Sequence, residues 1–220
     1  MPRKFRRAIA AVIAWALVAA LASVAAPASA QTPAHRADST QAPATLAGAR
    51  LATALRNGGY ILYFRHTATD FGQNDERMTG YEDCATQRNL TDAGRADATA
   101  IGAAIRALGI PIGAVLASPY CRTMETAQLM FGRATASTAV RGGPAQASAE
   151  RYAELTKLLS TKPAPGANLV ISGHGNPYRA VVGGAYLQEG EAAIVEPLGA
   201  DGFRVVARIR KDEWAALGNP

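Results

Sequence analysis

The sequence predicts an α/β fold: a three-layer αβα sandwich built around a mostly parallel sheet. Three observations predict it. Short apolar runs alternate with segments of helical periodicity along the chain. Two of those runs, Gly59-Tyr60-Ile61-Leu62-Tyr63-Phe64 and Asn168-Leu169-Val170-Ile171-Ser172, read as buried strands. Each is followed two residues later by a histidine, His66 and His174. Open α/β sheets bind ligands beyond the C-terminal ends of their strands, so both histidines are expected at one functional edge. The third histidine of the chain, His35, lies in a polar N-terminal stretch.

Residues 1–30 read as a signal peptide. Arg3, Lys4, Arg6 and Arg7 precede an apolar stretch over 8–26, and Ala28-Ser29-Ala30 offers a cleavage site before Gln31. An uncleaved anchor is the competing reading, because that stretch approaches the length of a membrane span. The formal charge is +6, and removing the four positive leader residues leaves +2. The isoelectric point near 9.6 therefore belongs largely to the leader and does not indicate a nucleic-acid partner. Residues 31–45, rich in Ala, Thr and Pro, read as a flexible linker. The remainder, 46–220, is long enough for one domain with a sizeable core.

Along that domain, residues 46–56 carry helical spacing and stop at Asn57-Gly58-Gly59. The first strand runs to Phe64, and a long polar, partly acidic loop follows over 67–90. Thr91 can cap a helix through Leu108, with Ala93, Ala96, Ala100, Ile101, Ala104, Ile105 and Leu108 as its inner stripe. A strand over 112–117 leads into a helix begun by Ser118-Pro119 and reaching Phe131. Residues 132–146 read as loop with room for a short strand, 147–159 as helix and 162–166 as turn. After the 168–172 strand come a helix over 176–187, a hairpin of 192–196 with 203–209, and a last helix over 212–217.

Export would place Cys84 and Cys121 in an oxidising compartment, where an even count fits one disulfide. Two buried free thiols are the alternative. A bridge would hold the 67–88 loop beside Arg122 and bring Glu82, Asp83 and Arg88 toward the rim of any pocket there.

Three segments carry chemistry: Arg65-His66-Thr67; Ser118-Pro119-Tyr120-Cys121-Arg122 running on to Thr126-Ala127; and Gly173-His174-Gly175-Asn176. Singly, each has an ordinary explanation. Arg122 could pair with Glu125 or Glu150, and Gly-His-Gly could be only a turn. In this order and spacing, with Asn89-Leu90-Thr91-Asp92-Ala93-Gly94 between the first two, they resemble branch 1 of the histidine phosphatase superfamily, which includes the phosphoglycerate mutases. Thr67 stands where that pattern has glycine.

The resemblance implies a phosphoglycerate mutase-like fold and a phosphomonoesterase acting through a phosphohistidine. His66 would be the nucleophile, unprotonated at the attacking nitrogen. Arg65 and Arg122 would hold phosphate oxygens, with Asn176 adding donors at a helix start. His174, protonated, would stabilise the transferring phosphoryl group. Relatives place a glutamate acid between the second and third motifs, where Glu150 lies; Glu154 and Glu191 are alternatives. No cofactor is implied, and no His or Cys pair has close metal-ligand spacing. The partner expected is a small phosphorylated substrate, with a membrane involved only through an uncleaved leader. Export and the cysteine-tethered loop resemble lipopolysaccharide core heptose phosphatase relatives, implying an envelope sugar phosphate. A mutase and a non-catalytic phosphosugar-binding protein are the alternatives.

Overall fold

Six strands form one mixed sheet: β1 (Ile61–Arg65), β2 (Ile112–Ala117), β3 (Thr135–Ala136), β4 (Asn168–Gly173), β5 (Ala192–Gly199) and β6 (Gly202–Ile209). Their spatial order is β3-β2-β4-β1-β5-β6. β1, β2 and β3 join the parallel part through β4 and β2, while β5 and β6 add antiparallel pairings at one edge. These features come from a computed structural model whose folded unit spans residues 41–220, of which 45–143 and 149–218 are described. The signal peptide expected over 1–30 and nearly all of the expected linker lie outside the described residues.

Helices cover both faces, giving the expected three layers. One face carries α1 (Gly48–Asn57), α2 (Asp92–Ala107) and α3 (Cys121–Phe131), whose Leu51, Leu55, Ile101, Ile105 and Met130 pack with Leu62, Phe64 and Val170. The other carries α4 (Ala153–Ser160) and α5 (Gly175–Val182), whose Leu155, Leu159 and Tyr178 pack with Ile61, Tyr63 and Ile171. Successive β1 residues thus feed opposite layers, which is why the strand is apolar throughout rather than alternating.

Several boundaries differ from the sequence expectation. α3 begins at Cys121, so Pro119 precedes the helix. The expected 147–159 helix is a tight turn over Ala149–Tyr152 followed by α4. α5 stops at Val182, because Gly183 and Gly184 take positive φ of 78° and 69°, which end the helical path. The expected last helix is only a short turn, Trp214–Ala216.

The inner face of α2 also differs. Thr91 caps it as expected, its hydroxyl accepting from the Gly94 amide at 3.0 Å. The buried line is Gly94, Ala98, Ile101, Gly102 and Ile105, whereas Ala93, Ala96 and Ala100 are exposed. A Cβ at Gly94 would strike the Ala68 carbonyl, and one at Gly102 the Met130 carbonyl. The expected stripe holds at Ile101 and Ile105, buried in the core, and at Ala104 and Leu108, packed against it; in the first half of the helix close backbone approach at Gly94 turns the face instead. In an alanine-rich helix the hydrophobic pattern alone does not distinguish the two.

Candidate active site

Strand register assembles the three motifs. β1 and β4 are parallel with Arg65 opposite Gly173, so His66 and His174 follow side by side at the same sheet edge. The His66 amide donates to the Gly173 carbonyl at 3.1 Å. β2 lies on the other side of β4 with Ala117 opposite Ser172, and the Ser118 amide donates to the Ser172 carbonyl at 2.9 Å. That places Ser118 beside His174 and sends the chain into α3, which carries Arg122.

A cavity of about 310 Å³ opens at this edge, lined by Arg65, His66, Arg122, His174 and Asn176 together with Asp75, Arg88 and Tyr120. The two imidazole centroids are 5.6 Å apart, edge to face. His66 is buried, and its Nδ1 lies 2.9 Å from the Thr67 carbonyl. A carbonyl only accepts, so Nδ1 carries the ring proton and Nε2 keeps its lone pair. Burial first, and then the guanidiniums of Arg122, Arg65 and Arg88, push the imidazole down to about 3 against the upward pull of the Thr67 carbonyl. His66 is therefore held neutral, as a nucleophile must be.

His174 is also buried, with Nε2 2.8 Å from the Ser118 hydroxyl. The Tyr63 hydroxyl donates to its carbonyl at 2.9 Å and accepts from its amide at 3.2 Å. Burial, then His66 and the same three arginines, depress its protonation well below the ordinary histidine range. The protonated His174 expected from the sequence is thus not the state the unliganded site favours. Desolvation and four positive or potentially positive neighbours disfavour a further charge.

Arg65 donates Nη1 to the Leu187 carbonyl at 2.9 Å and lies with Nη2 3.5 Å from Glu189. Arg122 is buried, and its fork is taken: Nη1 and Nη2 each reach an oxygen of Asp75 at 3.0 Å. Its guanidinium also stacks over Tyr120 at 4.5 Å, and its Nε, among the described residues, is a buried donor without a partner. Glu125 pairs instead with Arg95 at 2.6 Å. Burial pushes the Asp75 carboxyl up, but the Arg122 fork and the Arg88 amide outweigh it and hold the group below its usual value. Asn176, the second residue of α5, donates Nδ2 to the Gly143 carbonyl at 2.8 Å and so ties a cavity wall.

The expected acid, Glu150, is exposed in the turn Ala149–Tyr152 and does not line the cavity. Glu154 is exposed as well. Glu191 is bound by Arg208 at 2.6 and 2.8 Å. Thr67 is buried against Thr126, at 3.3 Å between hydroxyls, and stays out of the cavity lining.

The Cys84–Cys121 disulfide is present, with 5.7 Å between Cα atoms. It brings Arg88 into the cavity wall as expected, but not Glu82 or Asp83; Asp75 of the same loop enters instead. Asp75 and Glu189, which lies 3.9 Å from His66 Nδ1, escaped the sequence reading. Neither sits in a motif or a periodic segment. Among the described residues, no cluster of three His, Cys, Asp or Glu side chains is arranged to hold a metal ion.

Fold and site define the class: an α/β phosphatase with a histidine at its centre. Residues 61–142, which carry the first two motifs, match the family model of the histidine phosphatase superfamily (branch 1). Among solved structures, a phosphoserine phosphatase variant from Entamoeba histolytica in complex with phosphoserine is 12% identical at a TM-score of 0.50, over 70% of this chain and 98% of its own. A mycobacterial glucosyl-3-phosphoglycerate phosphatase with inorganic phosphate is 15% identical at 0.50, over 70% and 99%. The protein histidine phosphatase SixA with tungstate is 15% identical at 0.49, over 69% and 97%. No curated protein matches the chain.

Proposed function

We propose that the chain is an exported phosphomonoesterase that works without a metal ion, through a phosphohistidine formed on Nε2 of His66. One observation carries this: a neutral, buried imidazole, proton-bearing at Nδ1, shares a cavity with Arg65, Arg88, Arg122 and His174. The imidazole attacks phosphorus while the guanidiniums take up the charge on the phosphoryl oxygens. A phosphoryl dianion beside His174 favours its protonated form, so the positive charge arrives with the substrate. Water then cleaves the phosphohistidine and restores His66.

The disulfide supports export to an oxidising compartment, periplasmic or extracellular. A cavity of about 310 Å³ suits a small phosphorylated molecule, and an envelope sugar phosphate is the substrate class we propose. The test is a screen of phosphorylated metabolites and envelope sugars with chelator present. Wild type should release phosphate and carry a trappable phosphohistidine, and His66→Ala should do neither. Phosphate binding without turnover would instead favour a binding protein.

A further inference from the structure

Resting on that phosphatase reading, we propose that Asp75 is the catalytic acid and base of this site. It is seated on Arg122 in the free protein and released to the leaving group when a phosphoryl group takes its seat.

Among the described residues lining the cavity, Asp75 is the one carboxylate. Its two oxygens occupy the Arg122 fork at 3.0 Å each, the bidentate geometry that a phosphoryl group also uses. Carboxylate and phosphoryl group therefore compete for one guanidinium. A displaced Asp75 does not travel far. The Arg88 amide still donates to Oδ1, at 2.9 Å, and the loop is bolted to α3 by the disulfide next to Arg122. No other acid is better placed: Glu150 and Glu154 are exposed outside the cavity, Glu191 is held by Arg208, and Glu189 sits outside the cavity lining on the Nδ1 side of His66, held by the Thr69 hydroxyl at 2.6 Å.

Displacement also changes the proton affinity of Asp75. In the free site it faces Arg122 and Tyr120 from α3 and its entry, Arg88 from its own loop, and Arg65, His66 and His174 across the cavity. The Arg122 contact keeps it ionised. Exchanging that contact for an adjacent phosphoryl anion favours the protonated carboxyl. As the bond from His66 Nε2 to phosphorus forms and the ester P–O bond breaks, Asp75 gives its proton to the departing oxygen. The carboxylate then takes a proton from the water that attacks phosphohistidine, leaving free phosphate, neutral His66 and a protonated Asp75 that returns its proton to solvent.

The test compares wild type, Asp75→Asn and Asp75→Glu on 4-nitrophenyl phosphate, whose leaving group needs little protonation, and on phenyl phosphate, whose phenolate does. Asp75→Asn should lower kcat on phenyl phosphate about 100-fold while changing that on 4-nitrophenyl phosphate less than about 5-fold. It should also lose the alkaline limb of the kcat profile, and inorganic phosphate should inhibit it more tightly, because Arg122 is no longer occupied. Asp75→Glu should recover part of the phenyl phosphate rate. Equal losses on both esters, or gains on both, would overturn the assignment while leaving the phosphatase reading intact. A wild type that hydrolyses neither ester would overturn both.

Discussion

An unfolded histidine binds a proton near pH 6.5, whereas folded His66 binds one only near pH 3. Between those values the unfolded chain holds more protons, so stability rises with pH across the window and is unaffected by this group above it. His174 acts in the same sense. The thermal midpoint of the unliganded protein should fall as pH is lowered from 7 to 4, and His66→Gln should give a shallower fall over the same range. Parallel curves in a calorimeter would contradict the buried neutral imidazole. Arg122 makes a second residue-level prediction. Arg122→Ala should cost about 100-fold or more in kcat/KM, and Arg122→Lys should recover only part, because an ammonium lacks the fork that grips two oxygens. His66, His174, Arg65, Arg122 and Asn176 were legible in the sequence because each lies in a short motif at a strand end or helix start. Asp75 was not, since an aspartate in a polar loop has no local signature, and its place depends on a contact 47 residues away.

At the level of elements, the loop between β1 and α2 has little regular structure and is held by specific bonds. The disulfide closes a 37-residue separation, worth up to about 4 kcal/mol in the chain-entropy account. A Cys84→Ser, Cys121→Ser double variant should lose stability of that order in urea and show faster amide exchange over 67–90. The α2–α3 contact makes a sharper test, because two principles predict opposite signs. Helix propensity alone would make Gly102→Ala stabilising by about 1 kcal/mol. A Cβ there meets the Met130 backbone carbonyl, so the variant should instead be destabilised by roughly 1–3 kcal/mol. Helix positions were readable from apolar spacing and caps. The inward face of α2 was readable at Ile101, Ala104, Ile105 and Leu108 but not in its first half, because alanine on either side buries about as well.

Across the whole molecule, Asn168 ties the sheet together at the end remote from the cavity. Its buried side chain donates to the Leu55 and Pro111 carbonyls at 2.7 and 2.9 Å and accepts from the Tyr60 amide at 3.1 Å. It thereby joins the end of α1, the approach to β1 and the entry to β2. Asn168→Ala leaves the Tyr60 amide without its partner, while the Leu55 and Pro111 carbonyls keep the Gly58 and residue 168 amides, and should cost about 1–3 kcal/mol in denaturant, with kcat and KM of the folded protein unchanged. The strand runs, the helical segments and the placing of two histidines at strand ends were determined by the sequence alone, because near-neighbour sterics and burial periodicity act over a few residues. Only the tertiary structure decided the strand order, the inward face of the first half of α2 and the carboxylate that fills the Arg122 fork. Those outcomes depend on which distant surfaces fit one another, and complementarity of that kind leaves no periodic trace along the chain.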